Sequence, residues 1–289
     1  MIKIFANIDY NLPDALEDYF CGLEISNWSI DKANDATPPQ IVGYFESAED
    51  AAAAYKEVRK NFKTLPAEYS SEEIFDCDWQ NEYKKYLTSW QCRSLHWVPL
   101  WERETYALPQ GHKAFFFDAG LAFGTGDHPT TRLCAIRMMD FLDKAKDPSK
   151  ISLIDAGCGS GILAISAKML GAGSVYGFDK DPEAVRVSLE NAKINNVSGV
   201  EFAEAGIDDW LKGRTCDILI ANIQADILQI YASELISGVK SGGILVLSGI
   251  LACENEAVKS AFLKAGGGKI KSADTAIMGE WSDILFEIS

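Results

Sequence analysis

Short apolar runs alternate with segments of helical length through the second half of the chain, and this alternation restricts the fold more than any other feature. Six runs have the length of strands: residues 152–155, 175–179, 200–203, 217–221, 244–248 and 283–288. Most of them are almost wholly apolar, which is typical of strands buried on both faces of a parallel sheet. The pattern therefore predicts an α/β fold with a Rossmann-like, doubly wound sheet.

The N-terminal part of the chain predicts a separate, smaller α+β domain. Strand-like runs at 2–8 and 41–45 are each followed by a helical stretch, at 12–20 and 47–62 respectively. This order places the helices on one face of a short sheet. We therefore expect a ferredoxin-like domain over residues 1–65.

A linker is predicted between the two domains, over residues 66–111. It has few apolar runs and contains four tryptophans, at positions 79, 90, 97 and 101. Acidic residues lie beside these rings, so an interdomain hydrophobic contact is favoured over stacking on nucleic-acid bases. The second domain is then predicted over 112–289, and the turn-rich segment 31–39 is predicted as a loop within the first domain.

The charge and the cysteine pattern exclude several classes of protein. The 289 residues include 27 Lys and Arg against 42 Asp and Glu, a formal charge of −15 that disfavours direct nucleic-acid binding and favours a basic protein partner. No apolar run reaches the roughly 18 residues that cross a bilayer, and the first residues lack a secretory signal, so we expect a cytoplasmic protein with no membrane contact. Seven cysteines and three histidines without ligand spacing predict reduced thiols and no metal site.

A glycine-rich motif after the first strand of the second domain is the most specific indication of function in the sequence. Residues 155–161 read Asp-Ala-Gly-Cys-Gly-Ser-Gly, and a dinucleotide-binding fingerprint that starts at Gly157 would need glycine at position 162, where isoleucine stands. The spacing instead resembles the glycine loop of S-adenosylmethionine-dependent methyltransferases. Because Gly157 and Gly159 have no side chains, a cofactor can lie directly against their backbone.

An acidic residue ends the next strand and supports a nucleotide site. Asp179 lies 22 residues beyond Gly157, where α/β nucleotide sites place an acid that accepts hydrogen bonds from the ribose hydroxyls. Asp181 and Pro182 then begin a helix, with Asp181 as the N-cap. Because Asp181 caps the helix, Asp179 is not needed as a cap and is predicted to bind ribose.

Two further segments contribute candidate residues. A loop rich in Gly and Thr, residues 120–131, leads into a helix at Pro129, where Thr131 is a candidate for binding a carboxylate at the helix N-terminus. His128 is interpreted as a capping or loop residue and not as a general base. Asn222 follows the strand 217–221 at its carboxyl end and is either an acceptor for an incoming amine or an ordinary turn residue.

Several of these motifs together resemble the PrmA family, bacterial methyltransferases of ribosomal protein eleven of the large subunit. The matching segments are 123–131, 155–164, 177–182, 221–223 and 247–251. The resemblance implies S-adenosylmethionine as cofactor and methyl transfer to lysine side-chain and N-terminal amines of that basic ribosomal protein. It also implies that the N-terminal domain holds the substrate and that the linker moves the catalytic domain between target amines.

The resemblance also assigns roles to individual residues. The cofactor contacts of the family correspond to Thr131, Gly157, Asp179 and Asn222, and Asn222 would in addition orient the acceptor amine. The chain departs from the family pattern at Asp127, at residues 224–228 and in the C-terminal tail, all near the acceptor side. A methyltransferase of another protein or of a small-molecule amine therefore stays open, as does a non-catalytic scaffold with this fold.

Overall fold

The computed structural model describes residues 1–22, 27–31, 38–73, 88–117 and 128–289. The chain divides into two compact units, Met1–Tyr86 and Leu87–Ser289. Within the described ranges, no helix is both long enough and apolar enough to cross a membrane.

In the described residues of the first unit, a four-stranded sheet is accompanied by two helices. Its elements are β1 (Ile2–Asn7), α1 (Pro13–Gly22), β2 (Trp28–Asp31), β3 (Gln40–Phe45), α2 (Ala48–Asn61) and β4 (Ser70–Glu73). The strand order is β2-β3-β1-β4, with every neighbouring pair antiparallel. Ser47 begins α2 as its N-cap, since the backbone N–H of Asp50 donates to Ser47 Oγ at 3.1 Å.

The two strands and two helices predicted in the first 65 residues are present. Ile4, Leu16, Ile41 and Tyr55 are buried together in the core between the sheet and the helices. Strands β2 and β4 were not predicted, because β2 is only four residues long and β4 reads Ser-Ser-Glu-Glu with no apolar residue. Of the loop predicted over 31–39, residues 32–37 lie outside the described part of the chain.

The second unit begins with a small three-stranded sheet. It consists of β5 (Trp90–Cys92), β6 (Leu95–Pro99) and β7 (Lys113–Phe117), with β5 antiparallel and β7 parallel to β6. The rings of Trp90 and Trp97 stack with their centroids 3.9 Å apart. The segment 66–111, predicted as a linker, thus carries β4 near one end and β5 and β6 near the other, and none of these strands was predicted. Trp79 lies outside the described residues.

The main sheet of the second unit has eight strands. They are β8 (Ser152–Ala156), β9 (Ser174–Asp179), β10 (Val200–Glu204), β11 (Cys216–Asn222), β12 (Val239–Leu251), β13 (Ile270–Asp274), β14 (Ile277–Met278) and β15 (Trp281–Ile288). The order is β10-β9-β8-β11-β12-β15-β13, and β14 pairs with β15. Strands β8 to β12 are parallel, whereas β15 is antiparallel to β12. All six predicted strands are present, and the doubly wound α/β prediction is confirmed.

Seven helices accompany this sheet in the described residues. They are α3 (Pro129–Lys144), α4 (Ile162–Met169), α5 (Pro182–Ile194), α6 (Ile207–Trp210), α7 (Ala225–Ile230), α8 (Ala232–Ser237) and α9 (Asn255–Gly266). Residues of α6 to α9 share one buried core with the strands, which includes Leu219, Leu245 and Phe286. The order of the parallel strands reverses between β8 and β11, and in sheets of this type ligands bind at the carboxyl ends of the strands beside that point.

Hydrogen bonds join the small sheet to the helices of the main domain. The indole N–H of Trp97 donates to Ser166 Oγ in α4 at 3.0 Å, and both groups are buried. The side chain of Asn195, at the end of α5, accepts from the N–H of Phe116 and donates to its carbonyl, both at 2.7 Å. Strands β5 to β7 are therefore part of the second unit.

Candidate active site

The loop between β8 and α4 is built from three glycines with left-handed backbone. Gly157, Gly159 and Gly161 have φ of +71°, +52° and +74°, a conformation that other residues adopt only with strain. At Gly157 a Cβ atom would lie only 2.4 Å from Cγ2 of Ile223, the residue that follows β11. Because the glycines have no side chains, the loop can pass close to the end of β11. Its backbone lies at the carboxyl edge of the sheet.

Two side chains of α5 hold this loop in place. Ser188 Oγ donates to the carbonyl of Gly159 at 2.8 Å, and Asn191 Nδ2 donates to the carbonyl of Ser160 at 2.9 Å. Both side chains are buried. Sequence reasoning missed them; the only signal was the spacing of three residues, which puts both on one face of the helix.

A buried aspartate connects the strand before the glycine loop to the helix after it. Asp155, in β8, is 1% exposed, and its Oδ2 accepts from the backbone N–H of Ala164 in the first turn of α4 at 3.2 Å. Burial raises the pKa of this carboxyl from 3.8 to about 7, because the charged form loses its hydration. Asp155 thus connects strand β8 directly to the helix that follows the loop.

Asp179 lies at the end of β9, next to the glycine loop. Its Oδ2 accepts from the N–H of Gly159 and its Oδ1 accepts from the N–H of Asp181, each at 3.0 Å. Asp181 caps α5 by accepting from the N–H of Glu183 at 2.9 Å, which confirms the capping prediction. A carboxylate has about four acceptor positions, so the oxygens of Asp179 keep acceptor capacity for hydroxyl groups of a ligand.

The N-terminus of α3 lies near the start of β15. His128 is the N-cap of this helix, as predicted: its Nδ1 accepts from the N–H of Thr130 at 3.4 Å and lies 2.8 Å from Thr130 Oγ1. The ring of His128 also meets that of Trp281 edge to face, with centroids 4.8 Å apart. Residues 120–127 of the predicted glycine- and threonine-rich loop, including Asp127, lie outside the described residues.

Asn222 ends β11 and faces α3. Its Nδ2 donates to Thr131 Oγ1 at 3.5 Å, and Thr131 is almost fully buried. Its Oδ1 is also buried, yet the described residues provide no hydrogen-bond donor for it. A buried acceptor without a partner costs about 1–3 kcal/mol, so this oxygen is suited to a donor that arrives with a ligand.

The sequence-predicted residues thus meet in two hydrogen-bonded pairs. Gly159 contacts Asp179, and Thr131 contacts Asn222. Gly157 lies beside Ile223 and so links the glycine loop to the second pair. The arrangement offers a side-chain-free backbone surface, a carboxylate with spare acceptor positions and an amide oxygen that has no donor within the described part of the chain. These groups fit a cofactor with hydroxyl and amino groups, with an amine-bearing substrate beside it.

Comparison with known proteins gives a consistent result. The family profile described as ribosomal protein L11 methyltransferase (PrmA) matches residues 22–288. The chain is 32% identical over 288 residues to the ribosomal protein L11 methyltransferase of Alkaliphilus metalliredigens, covering 94% of this chain and 87% of the relative. It is 40% identical over 237 residues to that of Ralstonia pickettii, covering 80% and 70% of the two chains. A crystal structure of a ribosomal protein L11 methylase from Lactobacillus delbrueckii subsp. bulgaricus is similar with a TM-score of 0.60 and 28% identity, over 68% of this chain and 96% of that one.

Proposed function

The chain belongs to the PrmA family of ribosomal protein L11 methyltransferases, and on this basis we propose that it transfers methyl groups from S-adenosylmethionine to amines of ribosomal protein L11. The acceptors in this proposal are lysine side chains and the N-terminal amine. The observation that supports it most is the buried Oδ1 of Asn222 at the carboxyl edge of the sheet, which has no hydrogen-bond donor among the described residues. The proposed place of action is the cytoplasm, without membrane contact or direct contact with nucleic acid.

The proposed cofactor site uses the glycine loop and its neighbours. Backbone of Gly157 and Gly159 would lie against the cofactor, and Asp179 would accept from both ribose hydroxyls. Thr131 and Asn222 would border the methionine end. When bound, S-adenosylmethionine would supply a methyl group activated by its positively charged sulfur. The acceptor of that methyl group is the lone pair of an amine nitrogen.

In the proposed reaction the protein orients and desolvates the amine. A free lysine has a pKa of about 10.4, so the acceptor must lose a proton before its lone pair can attack. Asn222 Oδ1 would accept one N–H of the neutral amine and so direct the lone pair towards the methyl carbon. Methyl transfer would form the N–C bond as the C–S bond breaks, and the methylated ammonium would release its extra proton to water. Correct placement supplies most of the acceleration in a displacement of this kind.

The charge distribution supports a basic protein substrate. Residues 1–86 contain 8 Lys and Arg against 17 Asp and Glu, a formal charge of −9, which is more than half of the total of −15. Such a surface attracts a basic partner and accelerates its association at low salt. We therefore propose that the N-terminal domain, predicted over 1–65, binds L11. We further propose that the part of the predicted linker 66–111 that precedes β5 connects it to the catalytic domain, predicted over 112–289.

The test is to incubate the purified protein with S-adenosylmethionine and recombinant, unmethylated L11, and to resolve the products by intact mass. Peptide mapping then identifies the modified amines. The proposal predicts added masses that are multiples of one methyl group, located on lysines or on the N-terminal amine. Unmodified L11, in the presence of demonstrated cofactor binding, would contradict L11 as the substrate and would favour another amine.

A further inference from the structure

We propose that His96 and His112 form a pH-dependent contact that holds the segment 100–112 against strand β6 and weakens below about pH 6.5. The segment connects the parallel strands β6 and β7 and contains none of the candidate site residues. The proposal rests on a chain of three side chains. His96 Nδ1 lies 2.8 Å from Tyr106 Oη, and His96 Nε2 lies 2.7 Å from His112 Nδ1.

The two histidines differ in their access to water. His96 belongs to β6 and is 1% exposed, whereas His112 is half-buried and directly precedes β7. Tyr106 is half-buried too and lies within the segment. Both nitrogens of the buried ring thus bond to side chains at or near the ends of one connection. If the segment moved away, the polar atoms of His96 would lose both partners.

The contact between the two rings has room for only one proton. A hydrogen bond needs an N–H on one facing nitrogen and a lone pair on the other. The bonded pair can accept one extra proton on an outward-facing nitrogen and keep the bond. A second extra proton would put an N–H on both facing nitrogens, which lie 2.7 Å apart, and the bond would be lost. Released rings, in contrast, can both be charged, each with a pKa of about 6.5.

The groups that face His96 disfavour its charged form. Loss of hydration lowers the pKa of His96 below its ordinary value, and repulsion from His112 lowers it further. Its neighbours across the small sheet, Gln91 in β5 and Ala114 in β7, carry no charge. The remaining ionisable groups of β5, its turn, the segment and β7 are Cys92, Arg93, Glu102, Arg103, Glu104, Tyr106 and Lys113.

Acidification therefore favours release of the segment. Below about pH 6.5 the released pair binds one proton more than the bonded pair, so the ratio of released to attached segment rises up to tenfold for each pH unit. Release would also free Arg103, whose Cζ lies 4.8 Å from the centroid of the Phe116 ring and whose Nη1 donates to the carbonyl of Ile194 at 3.5 Å. Ile194 ends α5, the helix whose Ser188 and Asn191 hold the glycine loop.

Hydrogen exchange of the full-length protein, followed by mass spectrometry of peptides that cover 100–112, tests the proposal. Within the segment the N–H of Tyr106 donates to the carbonyl of Glu102 and that of His112 to the carbonyl of Pro109, so attachment protects amides that can be measured. We expect the protection factor of these peptides to fall roughly five- to tenfold from pH 6.5 to 5.5. Peptides of β11 from the same digest are the internal control, and their protection should not fall.

Two variants separate the proton count from the loss of a bond. In His112→Asn the side-chain oxygen can accept the N–H of His96 whether that ring is neutral or charged, so protection over 100–112 should change less than about twofold between the two pH values. Tyr106→Phe is the matched control, because it removes the other bond of His96 but keeps both imidazole rings. It should lower the protection at both pH values and keep the fall on acidification.

The ring signals of the histidines in NMR spectra give a second measurement. The chain has three histidines, at 96, 112 and 128, so the spectra of His112→Asn and His128→Gln identify all of them. In the parent we expect His96 and His112 to take up their protons in two steps, with the second at least about one pH unit below the first.

Several outcomes would overturn the proposal. These are constant protection of 100–112 from pH 6.5 to 5.5 in the parent, an equal fall in His112→Asn, and an equal fall in the β11 peptides. Two charged rings at a pH where the segment keeps its protection would also overturn it, because charged rings cannot share the bond. None of these measurements involves L11 or the cofactor, so this proposal and the proposed function fail separately.

Discussion

Replacing Gly157 with alanine tests whether the glycine loop depends on its close approach to the end of β11. The substitution adds one Cβ atom at a residue with φ of +71°, and that atom would lie 2.4 Å from Cγ2 of Ile223. The left-handed conformation costs alanine about 1–2 kcal/mol. Overpacking against a β-branched side chain, whose χ1 rotamers are restricted, adds about 1–3 kcal/mol. We therefore expect Gly157→Ala to lose about 2–5 kcal/mol of folding free energy.

The matched control is Gly213→Ala in the same unit. Gly213 has nearly the same backbone, with φ of +74°, but nothing lies within 4 Å of the added atom. Its expected loss is only the backbone strain of about 1–2 kcal/mol. Urea denaturation of both variants, followed by circular dichroism, gives the difference between them, and calorimetry gives the Kd for S-adenosylmethionine. Gly157→Ala should also weaken cofactor binding, whereas Gly213→Ala should not.

Two results would refute this reasoning. If Gly157→Ala and Gly213→Ala lost the same folding free energy, the contact with Ile223 would add nothing to the destabilisation. If Gly157→Ala bound S-adenosylmethionine as tightly as the parent, the loop would not form the cofactor surface. A further variant that combines Gly157→Ala with Ile223→Ala removes Cγ2 and should recover part of the cofactor affinity.

Three other changes have specific expected results. Asp179→Ala should raise the S-adenosylmethionine Kd at least tenfold, measured by calorimetry, because both ribose acceptors are lost; an unchanged Kd would remove Asp179 from the ribose site. Asp155→Asn should become more stable relative to the parent as the pH rises from 5 to 8, measured by urea denaturation at each pH. The pKa of Asp155 is raised from 3.8 to about 7 by burial, so between these values the folded parent binds a proton that the unfolded chain does not. From pH 5 to 7 the parent therefore loses about 3 kcal/mol of folding free energy, and above pH 7 it loses no more; a constant difference between variant and parent would contradict this. Trp97→Phe should lose about 1–2 kcal/mol in the same urea assay, because Ser166 Oγ loses its buried donor, and no loss would mean that this bond does not stabilise the unit.

The main sheet could be predicted from the sequence because of how its strands are buried. Strands covered by helices on both faces are continuous apolar runs in the sequence. The strands at 152–155, 217–221 and 244–248 could therefore be predicted without knowing the tertiary structure. The small sheet β5–β7 was missed because its strands are three to five residues long and are stabilised by distant partners. Trp97 bonds to Ser166, 69 residues away, and Asn195 bonds to Phe116, 79 residues away.

In the candidate site, too, some residues could be predicted from the sequence and others could not. Asp179 and the glycines could be proposed from sequence because they follow strands whose carboxyl ends meet at one edge. Ser188 and Asn191 could not, since two polar residues on a helix indicate a solvent-facing surface until the neighbouring loop is known. The buried Oδ1 of Asn222, for which the described ranges provide no donor, could not be predicted from sequence either. The contact of this side chain is with Thr131, which lies 91 residues earlier in the chain.

The central claim is that Asn222 Oδ1 receives and orients the acceptor amine, and one comparison tests it most directly. The single-turnover rate of methyl transfer to L11 at saturating S-adenosylmethionine is measured for the parent and for Asn222→Ala, together with the cofactor Kd of each. The account predicts a rate lowered by roughly 10- to 100-fold, the value of a hydrogen bond to a group that becomes charged, with a Kd that changes far less. An unchanged rate, or a Kd raised as much as the rate falls, would contradict it.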